Sequence, residues 1–157
     1  MRASRVEVTA VNAHDPVACV CLDRYFDELA ARFPEGYLRA DDGAADVADF
    51  NPPAGVFLVA EILGEPAGCG ALRTFSPGIG EIKRMWVSPE VRGLGMGRRL
   101  LESLEDEARE RKLHRVRLDT HSSLVQALQL YRTAGYRDIA RYNDNPYAHH
   151  WLEKPLG

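Results

Sequence analysis

Basic residues are not in excess in this 157-residue chain: 20 Lys and Arg stand against 23 Asp and Glu, for a net charge of -3. A general nucleic-acid binder displaces phosphate counterions with a basic surface, so that class is excluded and no nucleic-acid partner is expected. Long apolar runs are also missing. The longest uncharged stretch, Thr120 to Tyr131, falls far short of the roughly 20 apolar residues that cross a bilayer, so no membrane partner is expected. Near the start, Arg5 and Glu7 stand where a secretory signal would carry its apolar region, which predicts a cytoplasmic chain. Cysteine is scarce: Cys19, Cys21 and Cys69 are odd in number, with no CxxC pair and no second Cys/His pair at a finger-like distance. They read as free thiols in a reducing compartment, and no metal is expected.

What is present is the balance of a globular protein, 45% hydrophobic and 27% charged. No repeat, linker or low-complexity run interrupts it, which predicts one domain over residues 1–157. Arg5 to Val11 alternates like a strand with one buried face. Asp15-Pro16 then reads as N-cap and first helical position, followed by a loosely helical pattern from Val17 to Phe33 and a stop at Pro34-Glu35-Gly36. The acidic, Ala-rich stretch Asp41 to Asn51 reads as a short exposed helix or loop beside a site.

Strand signals follow: VFLVAEIL and AGCGALRTF form a hairpin through Gly64-Glu65-Pro66, and EIKRMWV runs from Glu81 to Val87. Leu100, Leu101, Leu104 and Ala108 then share one helical face, with Glu102, Glu105, Asp106 and Arg109 turned to water. Arg115 to Thr120 is a strand, parallel to the Glu81 strand because one helix crosses between them. Leu124, Ala127, Leu128 and Tyr131 mark a last helix, capped by Ser122-Ser123 and ended by Gly135. Tyr136 to Ile139 and Tyr147 to Glu153 complete a mixed sheet with helices packed on it.

The most informative segment is Val87-Ser-Pro-Glu-Val-Arg-Gly-Leu-Gly-Met-Gly-Arg-Arg99, where a strand enters a helix through Gly93, Gly95 and Gly97. Such glycines let successive backbone N–H groups face one concavity, and the helix adds the positive end of its dipole. Arg92, Arg98 and Arg99 surround this cradle with charge suited to a pyrophosphate. A P-loop is excluded because no Gly-Lys-Ser/Thr occurs. A dinucleotide fingerprint fails at its third glycine, which falls on Leu100 or Met96 depending on the starting glycine.

Arg92-Gly-Leu-Gly95-Met-Gly97 resembles the [Q/R]-x-x-G-x-[G/A] signature of the GNAT superfamily of N-acetyltransferases. Leu130-Tyr131-Arg-Thr-Ala-Gly135-Tyr136 is similar to that superfamily's L-Y-x-x-x-G-[F/Y] element. The resemblance runs over roughly residues 5 to 154 and is closest to small bacterial members, including halves fused to winged-helix regulators. No winged-helix half is present here, so nothing about DNA binding carries over.

The resemblance implies the GNAT-like acyl-CoA N-acyltransferase fold: a mostly antiparallel sheet with one splayed parallel pair and helices on both faces. It also implies acetyl-CoA as co-substrate, with direct transfer of its acetyl group to a primary amine of a small molecule or a peptide. Met85, Trp86 and Val87 would pair with the pantetheine arm through their backbone. The segment Arg92, Gly93, Leu94, Gly95, Met96, Gly97 and Arg98 would hold the pyrophosphate, and Ser122 would stand in for a frequent cofactor-contacting asparagine.

Two proton-handling roles need filling, because an amine must lose a proton to attack and the departing thiolate must gain one. Tyr131 aligns with the superfamily's frequent tyrosine acid, although it also completes an apolar helical stripe. For the base, Glu81 stands where histone-acetylating members carry theirs, and alternation sets Glu81, Lys83, Met85 and Val87 on one face. His121 and an ordered water are the alternatives. Tyr25, Phe26, Glu28, Arg73, Tyr142 and Asn143 are the acceptor candidates. Asp41, Asp42, Asp46 and Asp49 would offer an acidic rim to a cationic amine. His149 and His150 alternate in direction along a strand and so do not share an ion. A non-catalytic acyl-CoA sensor is the alternative function. A monomer or homodimer is expected, the latter through the C-terminal strand.

Overall fold

A computed structural model of the protein describes residues 6–38 and 47–157. Its elements are β1 (Val6–Val11), α1 (Pro16–Arg32), β2 (Gly55–Ile62), β3 (Glu65–Ser76), β4 (Ile79–Val87), α2 (Met96–Glu110), β5 (Arg115–Thr120), α3 (Val125–Thr133), β6 (Arg137–Asp138) and β7 (His150–Pro155). Short 3-10 turns occupy Val47–Phe50 and Pro89–Val91. The acidic stretch expected beside the site is therefore described only from Val47 onward, and Asp41, Asp42 and Asp46 lie outside the described residues.

The seven strands form one sheet in the order β1-β2-β3-β4-β5-β7-β6. Every neighbouring pair is antiparallel except β4 and β5, which are parallel as a crossover through α2 requires. The apolar run of β2 explains its central place. Val56, Leu58 and Ala60 face one core with α2 and α3, while Phe57 and Val59 face a second core with α1. On α2, Leu100, Leu101, Leu104 and Ala108 are buried as their spacing predicts, each large side chain contributing about 1.5–3 kcal/mol. Among the described residues no helix is long and apolar enough to cross a membrane.

Three local expectations are corrected. Glu105 does not face water: it is 3% exposed, accepts a hydrogen bond from the Tyr136 hydroxyl at 2.8 Å and pairs with Lys154 of β7 at 3.0 Å. Its position flanks Leu101 and Ala108 on the helix, and the two partners offset the cost of burying its charge. The α3 helix is capped not by the serines but by the next residue, Leu124, because the Ser122 hydroxyl and backbone N–H are turned to His149. Gly135, at φ +104°, ends it in a Schellman arrangement: the Tyr136 N–H reaches the Tyr131 carbonyl and the Gly135 N–H that of Arg132. Finally, β7 is not an open edge for a dimer. It lies between β5 and β6, and β1 and β6 are the outer strands.

Candidate active site

Strands β4 and β5 pair only at Ile79–Arg115, Gly80–Val116 and Glu81–Arg117. Past Glu81, β4 bulges: Arg84 has φ +60°, and the register against β3 slips between Cys69–Trp86 and Ala71–Lys83. An additional residue on one strand bends it and increases its twist, so β4 leaves β5 and a gap opens. The bulge also corrects the expected single face. Met85 and Val87 pack toward α2 and α3, Trp86 packs toward α1, and Glu81 stays behind where the strands are still joined. The Arg84 guanidinium lies over the rings of Phe26 and Phe50, at 5.5 and 5.2 Å.

Two cavities occupy the gap. A cleft of about 440 Å³ runs along Met85, Trp86, Val87 and the glycine turn to Leu130 and Tyr131 of α3. A smaller cavity of about 60 Å³ is walled by Phe33, Tyr37, Lys83, Asp119, His121, Asn145 and Tyr147. Tyr25, Leu29, Met85, Leu124, Ala127 and Tyr131 line both, so the two spaces meet there.

In the glycine turn, Gly93 and Gly95 have φ of +87° and +83°, a region that side-chain-bearing residues rarely adopt. Gly95 is the N-cap of α2, which leaves the N–H groups of the first helical turn without partners inside the helix. Arg98 is half-exposed, and its ion-pair contact among the described residues is a long 3.8 Å approach to Glu102. Leu94 is 75% exposed and lines neither cavity, so it offers backbone alone. Arg92 differs from expectation. Its guanidinium is bound to both oxygens of Glu28, one at 2.6 Å, and its Nε–H donates to the Val87 carbonyl at 2.9 Å. One lone pair of that carbonyl is thus engaged by Arg92.

Tyr131 is 6% exposed in the wall shared by both cavities. Burial, and then the charge of Asp119, push its phenol well above the usual tyrosine range. Glu81 is fully buried and lines neither cavity. One of its oxygens accepts from Arg73 at 2.9 Å and the other from the Tyr142 hydroxyl at 2.7 Å. It has no free oxygen turned to an acceptor, because it belongs to the paired part of the sheet. His121 lines the smaller cavity, but Nδ1 accepts the Ser123 N–H at 2.9 Å and Nε2 faces Glu35 at 2.9 Å. The Ser123 bond assigns the proton to Nε2, so neither ring nitrogen keeps a lone pair for base work.

Of the acceptor candidates, only Tyr25 lines the smaller cavity. Phe26 is core, stacked with Tyr37 at 5.9 Å. Glu28 is occupied by Arg92, Trp86 and Arg32. Arg73, Tyr142 and Asn143 gather around Glu81, with Asp49 at 3.9 Å from Arg73, away from both cavities. Ser122 is exposed and lines neither cavity. The sequence reading missed Asp119, the carboxylate among the described residues lining the smaller cavity. It is held by Lys83 at 3.7 Å and by the amides of Asn143 and Asn145 at 2.6 and 3.1 Å. Its signal was there: alternation along β5 puts Arg117 and Asp119 on one face, at the end where the sheet opens.

Also unforeseen is the approach of Glu35, His121 and His149, whose ligand atoms lie within 4.8 Å of one another. A metal on His121 Nε2 would force the proton to Nδ1 and break the Ser123 bond, so the trio reads as a hydrogen-bonded cluster. His121, through hydrogen bonding after Glu35's own backbone N–H, helps hold the Glu35 carboxyl below its usual range.

Buried phenols give the fold a pH limit. Tyr131, Tyr136 and Tyr142 are all pushed upward, chiefly by burial, and Tyr142 also by the charge of Glu81. Below about pH 10 both folded and unfolded chains keep these protons, and the full stability is present. Above it the unfolded chain loses them first, so stability is expected to fall steadily with pH. Denaturant titrations at pH 9 and 11 check this; equal midpoints would contradict it.

The comparisons with known proteins fit this geometry. Residues 22–136 match the model of the Acetyltransferase (GNAT) family. The chain is 37% identical over 139 residues to the IAA acetyltransferase of Azospirillum brasilense, covering 86% of each. Its fold resembles a GNAT-family acetyltransferase structure from Staphylococcus aureus, with a TM-score of 0.82 and 16% identity over 97% of this chain and 99% of that one. It also resembles N-acetylglutamate synthase from Neisseria gonorrhoeae, complexed with coenzyme A and N-acetyl-glutamate, with a TM-score of 0.68 and 22% identity over 96% of this chain and 35% of that one. The chain belongs to the acetyltransferase (GNAT) family and is an acyltransferase enzyme.

Proposed function

We propose that this acetyltransferase moves the acetyl group of acetyl-CoA directly to a primary amine. The carrying observation is that Tyr131 stands in the wall common to the glycine-turn cleft and the smaller cavity. In this reading the unpartnered N–H groups at the start of α2 and Arg98 hold the pyrophosphate, and the thioester reaches the junction of the two spaces. The amine enters from the smaller cavity.

The acceptor ammonium first gives a proton to water, because Glu81 and His121 have no free lone pair there and Asp119 is already held by three donors. The neutral amine attacks the thioester carbon, forming a C–N bond, and the C–S bond breaks. Tyr131 donates its proton to the departing sulfur and is reprotonated with the proton lost by the new amide nitrogen. CoA thiol and N-acetylated amine leave.

Cys19, Cys21 and Cys69 are free thiols, which supports placing the protein in the reducing cytoplasm. The test is a panel of small amines and peptide N-termini with detection of released CoA thiol. Thiol release with at least one amine is expected. Binding of acetyl-CoA without release for any amine would instead favour a non-catalytic sensor, and absence of binding would remove both.

A further inference from the structure

We propose that Glu28 is a positioning residue for the cofactor: from α1, its carboxylate fixes Arg92 and Trp86, and through them the entrance to the glycine turn. The proposal rests on the reading that this turn holds the pyrophosphate of acetyl-CoA.

Three observations carry it. First, Glu28 is a hub between elements distant in sequence. Its carboxylate accepts the Trp86 indole N–H at 3.2 Å, binds the Arg92 Nη2 through both oxygens, and meets Arg32 one turn along at 3.3 Å. Second, Arg92 carries the tie onward. Its Nε–H holds the carbonyl of Val87, the last residue of β4, so one guanidinium links α1 to the point where strand becomes turn. Third, beyond the 3-10 turn at Pro89–Val91 and the packing of Val91 on the core, the turn is open to solvent. Glu90, Gly93, Leu94 and Gly95 are exposed, and two of them are glycines at positive φ.

Glycine loses more conformational freedom on ordering than other residues, so a loop of this composition binds weakly unless something outside it has already arranged it. The charged bond from Glu28 to Arg92 is such an arrangement, and charge-assisted bonds of this kind are about twice as strong as neutral ones. The positive charge of Arg92 is matched by Glu28, so attraction of the pyrophosphate falls to the α2 amides and Arg98. Glu28 therefore acts on the phosphate end of the cofactor. It leaves the acetyl end, held near Tyr131, untouched.

The test uses the full chain and two donors: acetyl-CoA, and acetyl-pantetheine, which lacks the pyrophosphate. Glu28→Gln is expected to raise KM for acetyl-CoA about tenfold, with kcat at saturation and KM for acetyl-pantetheine each within about threefold. Glu28→Asp, which keeps the charge one methylene back, is expected to recover part of that loss. Glu28→Gln combined with Arg92→Met is expected to be no worse than either alone, because both remove one tie.

An unchanged KM for acetyl-CoA would overturn the proposal. So would a lower one, which would mean that Glu28 competes with the phosphates for Arg92. Equal losses with both donors would also overturn it, since they would mark a general loss of structure. A wild-type protein that binds no CoA by calorimetry would overturn the cleft reading itself, an outcome separate from those in which wild type binds and only the variants misbehave.

Discussion

Replacing Tyr131 with phenylalanine is expected to lower kcat about 100-fold while KM for acetyl-CoA stays within about threefold. In this reading the departing thiolate develops charge at the junction of the two cavities, which Tyr131 lines on both sides. Burial and the charge of Asp119 keep that phenol protonated beyond the usual tyrosine range, so it is a donor at every pH at which the enzyme works. The pH profile follows from the same direction of shift. Activity is expected to rise with pH as the acceptor amine loses its proton, with no falling limb from Tyr131 below about pH 10. Phenylalanine keeps the ring that packs edge-on against Tyr136, centroids 6.0 Å apart, so the fold should survive the change. Stopped assays of thiol release across pH, with thermal melts of both proteins, make the check. An unchanged kcat would remove Tyr131 from the chemistry.

Which parts of this site were legible in the sequence depends on whether the information was local. Gly93 and Gly95 announce the cradle because a backbone at positive φ favours glycine, Gly97 because a Cβ there would come within 3.0 Å of the Leu130 side chain, and Leu100, Leu101, Leu104 and Ala108 announce the helix behind it through their period. The parallel β4 and β5 pair follows from chain connectivity alone. Not legible was the bulge at Arg84. An arginine at φ +60° carries no composition signal, yet it reverses which side chains of β4 face which core. Long-range ties were equally hidden. Arg92 looked like a free cation for phosphate until Glu28, 64 residues earlier, was found against it. Glu81 looked like a base because strand position was visible and its partners were not; Tyr142 is 61 residues away.

Glu81 is where the larger stability effect is expected. Replacing Arg73 with alanine leaves a fully buried carboxylate with only neutral hydrogen-bond donors, Tyr142 and Asn143. Breaking a buried ion pair from one side costs about 3–5 kcal/mol, a large share of the roughly 5–15 kcal/mol that holds a domain together. For a chain of this size the melting temperature should fall by on the order of 10 °C. Removing the charge as well relieves the penalty, so Arg73→Ala with Glu81→Gln is expected to melt above Arg73→Ala alone. The single change Glu81→Gln separates the two roles this residue has been assigned. As a base it would carry a 100-fold or larger loss of kcat at intact stability. As the buried anion of Arg73, lining neither cavity, it should keep kcat within about threefold and lose stability instead. Thermal melts and thiol-release rates on the same four proteins decide between them: a large loss of kcat in a Glu81→Gln protein that melts like wild type would restore Glu81 to the chemistry and sink its structural assignment.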